Sequence, residues 1–162
     1  MWKLLLVSLV TILSHTDAVF AKGPGTEVKL IPDVEQIAPG DTLLLGVHFS
    51  LQPGWHIYGK DPGSAGLPTK ITLMDHAQVD AEEVRWPTPE KFLSGEEVSF
   101  GYSHEVLLTL PVRIKKDAQV GETDLEVKVK WLNCSKSLCV PEKAMLPLKI
   151  RIGTETLPKR VG

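Results

Sequence analysis

The chain has few cysteines and no excess of positive charge. Its 162 residues include 2 cysteines, and the formal net charge is −2. The lack of a basic excess argues against nucleic acid as a partner. A chain of this length can bury a hydrophobic core without metal or many disulfides. We therefore expect a single folded domain with no nucleic-acid function.

Long hydrophobic runs are also missing, apart from one near the N-terminus. Lys3 precedes an apolar run at residues 4–13, and compact residues precede a cleavage position after Ala21. The run is roughly half as long as a membrane-spanning helix requires. The pattern is typical of a secretory signal peptide over residues 1–21, which leaves 22–162 as the exported domain. The alternative is an uncleaved anchor or a buried strand.

Motifs of hydrolytic and phosphoryl-transfer enzymes are absent as well. The sequence contains no nucleophile elbow, no glycine-rich phosphate loop and no recognisable carboxylate pair. Its histidines lack the spacing of zinc ligands, of which four are usually needed. We expect no metal site, although two thiolates could hold copper(I), so a copper(I) carrier is one alternative.

Hydrophobic residues instead alternate with polar ones along most of the chain, which indicates half-buried antiparallel strands. The pattern recurs in residues 27–32, 41–52, 69–73, 104–114, 124–131 and 145–152. Short strands separated by turns predict an all-β fold, an immunoglobulin-like antiparallel β-sandwich with its core at about residues 28–152. A small closed barrel is the alternative. The polar residues 153–162 are expected to be frayed.

Both cysteines lie in the stretch WLNCSKSLCVPEK at residues 131–143. They are too close in sequence to form a disulfide between facing sheets. Strand register places Cys134 and Cys139 on outward faces, and a disulfide closing so short a loop stabilises by only about 2 kcal/mol. Spacing alone favours a structural staple and a redox pair equally. Lys136, between them, could favour a thiolate or be a solvated loop lysine.

Three stretches of the sequence carry a family resemblance. They are PGWHIYGKDPGSAGLPTKI at 53–71, FGYSHEVLLTLPVRI at 100–114 and WLNCSKSLCVPEKAMLPLKI at 131–150. In this order and spacing they resemble the N-terminal periplasmic domain of the DsbD family of thiol:disulfide interchange proteins, and most of all its ScsB-like branch. The resemblance implies an immunoglobulin-like sandwich with a cysteine pair on adjacent strands.

The resemblance also implies a function. Cys134 and Cys139 would form a redox-active disulfide that needs no cofactor. The domain would relay electrons from a membrane or thioredoxin-like reductant to periplasmic thioredoxin-fold proteins, such as disulfide isomerases and cytochrome c maturation factors. It would act as a protein-disulfide reductase together with a partner, and as a monomer. An exported binding module with a structural disulfide is the alternative from another class.

Further residues are assigned by the same resemblance. Family members shield the cysteine pair with an aromatic residue on a cap loop, which matches residues 92–102 here. Phe100 is the first candidate for this shield and Tyr102 the second, with ordinary packing as the alternative. Tyr58 and His56 match positions near the cysteines.

The sequence departs from the full-length family pattern at its end. It stops at Gly162 without a membrane domain or a thioredoxin-like domain. We therefore expect a separate membrane electron donor of DsbD type.

Overall fold

The computed structural model describes residues 20–160, and these residues form an all-β structure. The strands are β1 (Phe20–Gly23), β2 (Thr26–Pro32), β3 (Val34–Gln36), β4 (Thr42–Leu51), β5 (His56–Gly63), β6 (Lys70–Leu73), β7 (Val79–Ala81), β8 (Glu90–Ser94), β9 (Glu97–Ser103), β10 (Glu105–Ile114), β11 (Gly121–Cys134), β12 (Cys139–Ile152) and β13 (Leu157–Pro158). No helix occurs among the described residues, so none there could span a membrane.

Two large antiparallel sheets make up the fold. The first has the order β1-β2-β4-β10-β7, and the second has the order β12-β11-β5-β9-β8 with β6 paired to β11. Strands β13 and β3 form a small third sheet. The predicted immunoglobulin-like β-sandwich is confirmed.

The alternating pattern explains how the two sheets build one core. On β11, Leu125, Val127 and Val129 are buried while the residues between them face outward. The core side of β4 is likewise buried, and its Phe49 meets Trp131 of β11 edge to face, with ring centroids 5.8 Å apart. Burial of one face of each sheet is the main source of stability in such a sandwich.

Strands β11 and β12 extend further than the sequence pattern predicted. Each has 14 residues, and together they form a hairpin that reaches the two cysteines. Strands β8 and β9 form a second hairpin in a region that was expected to be a loop. Both hairpins belong to the second sheet, so they bring the cysteines and the expected cap segment into one layer.

The prediction of a frayed C-terminus is wrong for residues 153–160. β13 pairs with β3, and the Lys159 amide donates a hydrogen bond to the Asp33 carbonyl at 2.9 Å. The Thr156 hydroxyl accepts a hydrogen bond from the Ala38 amide at 3.0 Å and donates one to Asp41 at 2.5 Å. These contacts join residues far apart in sequence, so local polarity did not reveal them.

Most of the predicted signal peptide, residues 1–19, lies outside the described part of the chain. The expected cleavage position after Ala21 falls within β1, where Ala21 pairs with Val28 of β2. Cleavage there would leave only the second half of β1 attached to the domain.

Candidate redox site

The β11–β12 hairpin places the two cysteines opposite each other. Cys134 ends β11, Cys139 begins β12, and the two form the last cross-strand pair of the hairpin. They are joined in a disulfide, with Cα atoms 4.1 Å apart. In the turn between them, the Ser135 amide donates to the Leu138 carbonyl at 2.7 Å, and the Leu138 amide donates to the Ser135 hydroxyl at 3.2 Å. The turn therefore holds the disulfide at the tip of the hairpin.

The two cysteines differ strongly in exposure. Cys139 is exposed, whereas Cys134 is only 1% exposed. The register prediction was right, because Cys134 shares its face of β11 with Lys128 and Lys130. An outward register also suggested an exposed side chain at Cys134, and this expectation was wrong. β5 lies beside the end of β11 and places His56 directly opposite Cys134.

An aromatic cluster consisting of His56, Tyr58 and Phe92 lies next to Cys134. The rings of His56 and Phe92 have centroids 4.8 Å apart and are tilted by 37°. The rings of His56 and Tyr58 meet at 86° with centroids 5.3 Å apart, and His56 Nε2 lies 3.4 Å from the Tyr58 hydroxyl. Of the predicted near-site residues, His56 thus pairs with Cys134, and Tyr58 contacts His56.

Burial sets the charge state of this cluster. It lowers the pKa of His56 below the usual 6.5, and the charge of Glu90 opposes that shift only in part. Burial also raises the pKa of Tyr58, and the charge of Glu97 raises it further. The cluster is therefore uncharged at neutral pH. Such surroundings disfavour a thiolate at Cys134, so nucleophilic character is expected at the exposed Cys139.

Glu90 fixes the position of the strand that carries Phe92. Its carboxylate accepts hydrogen bonds from the Ser103 amide at 3.0 Å and from the Ser103 hydroxyl at 2.7 Å. Burial acts to raise the pKa of Glu90, but the Ser103 hydrogen bonds and the charges of His104 and His56 hold it below 4.5. This contact joins β8 to β9 close to the aromatic cluster.

Phe100 and Tyr102, the predicted shield residues, lie on the other face of this sheet. Tyr102 pairs with Ile57, belongs to the hydrophobic core and donates a hydrogen bond from its hydroxyl to the Pro87 carbonyl at 2.7 Å. Phe100 shares the parity of Tyr102 on β9 and lines a hollow with Trp86. Neither is brought to the disulfide, so the structure places both as packing residues.

Sequence reasoning missed Phe92 as the aromatic residue near the cysteines. Phe92 pairs with Ser99, which puts it on the same face as Ser103 and its partner His56. A hairpin turn at Gly95, whose φ is +63°, sets this register. Recognising that turn and counting the strand register outward from it would have separated Phe92 from Phe100.

Asn133 was also missed, and it anchors the strand next to Cys134. It is fully buried on the inward face of β11. Its amide nitrogen donates to the Pro24 carbonyl, and its amide oxygen accepts from the Thr26 hydroxyl at 2.6 Å. A polar residue at an inward register position was the available signal, because buried polar groups need partners.

Lys136 and the remaining polar residues add no metal site. Lys136 is exposed in the turn between the cysteines and forms no ion pair with a carboxylate of residues 20–160. No group of three or more candidate metal ligands occurs among those residues. The reactive group that the structure shows at this site is the Cys134–Cys139 disulfide.

Comparison with known proteins agrees with this chemistry. Residues 27–148 match the family described as "Thiol:disulfide interchange protein DsbD, N-terminal". The chain belongs to this family. The resemblance in the sequence is thereby confirmed, and the family match together with the Cys134–Cys139 disulfide supports a thiol–disulfide interchange module in general terms.

Solved structures resemble this chain at low sequence identity. The N-terminal periplasmic domain of ScsB from Proteus mirabilis aligns with a TM-score of 0.64 and 21% identity, over 83% of this chain and 51% of that one. This chain thus spans about half the length of that domain. The reduced DsbD N-terminal domain from Neisseria meningitidis aligns with a TM-score of 0.45 and 14% identity, over 80% of this chain and 90% of that one. No curated protein matches the chain in sequence.

Proposed function

We propose that this domain carries electrons in the periplasm through reversible opening of the Cys134–Cys139 disulfide. The observation that supports this most directly is the asymmetry of the pair. Cys139 is exposed at the tip of a hairpin, and Cys134 is buried beside an uncharged aromatic cluster. Such a pair offers one sulfur to a partner and keeps the other for the closing step.

In the reductive half-reaction, a donor thiolate attacks Sγ of Cys139. A mixed disulfide forms, the Cys134–Cys139 bond breaks, and Cys134 leaves as a thiolate that takes up a proton. The donor's second thiolate then attacks the donor sulfur that is bonded to Cys139. This step closes the donor disulfide and releases Cys139 as a thiolate. Two electrons pass to this domain, and no cofactor takes part.

In the oxidative half-reaction, the Cys139 thiolate attacks the disulfide of an acceptor. One acceptor sulfur leaves as a thiolate, and a mixed disulfide with Cys139 remains. Cys134 then loses its proton and attacks Sγ of Cys139, which restores the internal disulfide and frees the reduced acceptor. Burial of Cys134 keeps it away from other oxidants until this intramolecular step.

The partners follow from the family. The acceptors proposed here are exported thioredoxin-fold proteins, including disulfide isomerases and proteins of cytochrome c maturation. The donor is a membrane protein or membrane domain of DsbD type, or a thioredoxin-like protein. A cleavable signal peptide at residues 1–21 would deliver the domain to the periplasm, where it would work as a monomer.

Phe92, rather than Phe100 or Tyr102, is the proposed shield of the cysteine pair. It stacks on His56, the cross-strand neighbour of Cys134. It is carried by β8, which lies at the edge of its sheet and pairs only with β9 among residues 20–160. The edge strand β8 can move while β9 and its core residue Tyr102 stay in place, so a partner could displace Phe92 at modest cost.

The reduction potential tests this function together with a trapping experiment. We expect a potential above about −300 mV, in the range of exchangeable disulfides. The Cys134→Ser variant retains the exposed thiol and should form a stable mixed disulfide with a thioredoxin-fold protein. A potential far below that value, with no trapped complex from either single-cysteine variant, would support a structural disulfide in a binding module. Stoichiometric copper(I) binding by the reduced protein without thiol exchange would support a copper carrier.

A further inference from the structure

Three lysines stand side by side on the outer face of the second sheet. Lys130 of β11 is paired with Lys70 of β6 on one side and with Lys143 of β12 on the other. All three are exposed, and none forms an ion pair with a carboxylate in the described residues. We refer to Lys70, Lys130 and Lys143 as the lysine row.

At the opposite end of β11 and β12, by contrast, a lysine is paired with carboxylates. There Lys149 of β12 lies 3.0 Å from the carboxylate of Asp124 and 3.7 Å from that of Glu122, both on β11. Like charges directly opposite each other on a sheet are destabilising, whereas opposite charges stabilise. The lysine row is therefore costly for the fold, although the chain as a whole has a net charge of −2.

An apolar groove adjoins the lysine row on the side of the disulfide. Leu67, Pro68, Trp131 and Pro141 line it together with the three lysines and one carboxylate, that of Glu142, and its volume is about 490 Å³. Leu67 is 56% exposed. Pro141 is the cross-strand partner of Leu132, and this pair lies between the lysine row and the Cys134–Cys139 pair. Along the outer face of β11 and β12, the disulfide is thus followed by an apolar patch and then by the positively charged lysine row.

The distances place this surface within reach of any partner bound at the disulfide. Lys130 precedes Cys134 by four positions on β11, which corresponds to about 13 Å along a strand. A protein interface of ordinary size covers about 800 Å² on each partner, equivalent to a disc of about 16 Å radius. A partner whose sulfur reaches Cys139 therefore covers part of the groove and the lysine row.

We propose that the groove and the lysine row form a docking surface for the proteins that exchange electrons with this domain. The matching partner surface carries carboxylates beside an apolar side chain, next to the partner's own cysteines. This inference rests on the proposed function, because it needs a partner at Cys139. Charges at the rim of an interface act mainly on the association rate, and salt weakens that effect.

A thioredoxin with an altered surface is the probe. One version carries three carboxylates around its Cys-X-X-Cys motif, and in the other these are changed to amides. Reduction of the disulfide by each version is followed by stopped flow at about 20 mM and about 300 mM NaCl. We expect K70Q/K130Q/K143Q to slow the acidic version about fivefold or more at low salt, to remove most of its salt dependence, and to leave the amide version unchanged.

A second triple variant controls for net charge. K116Q/K159Q/R160Q removes the same charge at the end of the sandwich away from the disulfide. Lys159 and Arg160 follow β13, and their backbone amides donate hydrogen bonds to the Asp33 carbonyl and the Glu35 carboxylate. Lys116 precedes the start of β11. We expect less than about a twofold change with this control. Unfolding midpoints of both triple variants verify that they are folded.

Each other outcome has a definite meaning. Equal slowing by both triple variants would overturn the docking surface in favour of a net-charge effect. Exchange that is insensitive to the lysines would overturn the docking surface but leave the proposed function standing. No exchange with either thioredoxin would overturn both. Lysine-dependent binding to phosphatidylglycerol vesicles, with lysine-independent exchange, would assign the row to an anionic lipid surface and overturn the protein docking site.

Discussion

The ring of Phe92 packs on the ring of His56, with centroids 4.8 Å apart. His56 is in turn the cross-strand neighbour of Cys134, the less exposed member of the disulfide. A residue of the edge strand β8 thus packs on the residue that pairs with Cys134. Because β8 pairs only with β9 among residues 20–160, β8 can move while β9 and the core stay in place.

Phe92→Ala is expected to make the disulfide more accessible. Reduction by dithiothreitol should become several-fold faster, because the side chain packed on His56, the cross-strand neighbour of Cys134, is lost. The loss of stability should stay below the roughly 3–5 kcal/mol typical of a fully buried phenylalanine, since Phe92 is only partly buried. Reduction rates under pseudo-first-order conditions and urea unfolding measure the two effects.

Phe100→Ala is the matched control for that variant. It makes the same change on the same hairpin, but on the opposite face of the sheet. We expect little change in the reduction rate. If Phe100→Ala accelerates reduction as much as Phe92→Ala does, loosening of the hairpin rather than removal of a shield is the cause.

The exposure difference between the cysteines predicts unequal reactivity. In Cys134→Ser the remaining Cys139 thiol should react with a maleimide at least about tenfold faster than the Cys134 thiol left in Cys139→Ser. Burial and an uncharged environment both slow the latter thiol, because the thiolate is the reactive species. Stopped-flow labelling at neutral pH measures the ratio. Equal rates would contradict the assignment of Cys139 as the attacking sulfur.

Strong alternation made much of this fold predictable from the sequence. β4 and β10 begin and end within one residue of their predicted bounds, because each has one face in the core. The hairpin β8–β9 has no such pattern. Its positions Ser99 and Gly101 are buried although one is polar and the other has no side chain. Sheet pairing rather than hydrophobic alternation defines these strands, and pairing is a long-range property.

The site was predictable in part for the same reason. Register placed Cys134 on the correct face of β11, but its burial depends on β5, which is about 75 residues away in sequence and whose position no local rule gives. The same holds for the lysine row, which joins β6, β11 and β12. Each lysine alone looked like an ordinary solvated residue, and only strand pairing brings the three together.

Lys130→Glu should stabilise the fold while it weakens docking. The new carboxylate would lie between Lys70 and Lys143, so two like-charge neighbours become opposite-charge neighbours. We expect the free energy of unfolding to rise by up to about 1 kcal/mol at low salt. Urea unfolding at low and high salt measures the change. A higher free energy of unfolding combined with slower exchange would show that the lysine row serves docking and not the stability of the fold.

Lys149→Glu is the matched control for that stability change. Lys149 already pairs with Asp124 and Glu122 on the same two strands, so the substitution puts three carboxylates together. It should lower the free energy of unfolding and leave exchange with an acidic thioredoxin unchanged. If both substitutions shift stability in the same direction, cross-strand charge does not govern stability on this face.

The lowered pKa of His56 predicts a loss of stability in mild acid. Burial makes the folded protein bind a proton at His56 less readily than the unfolded chain does. The free energy of unfolding should therefore fall as the pH drops below about 6.5 and continue to fall toward the folded-state pKa. Glu90 acts at lower pH, because its stabilising contribution is present above about 4.5 and is lost as the pH falls through its lowered pKa.

His56→Phe isolates the first of these two transitions. Phenylalanine keeps an aromatic ring against Phe92 but cannot take up a proton. Urea midpoints measured between about pH 7 and about pH 5.5 should decline less in the variant than in the parent protein, since only the parent has the unequal proton binding at this position. The comparison is confined to this range, because at lower pH the charge of His56 also helps to lower the pKa of Glu90. Parallel curves over the whole range would mean that burial of His56 does not affect the acid stability of the domain.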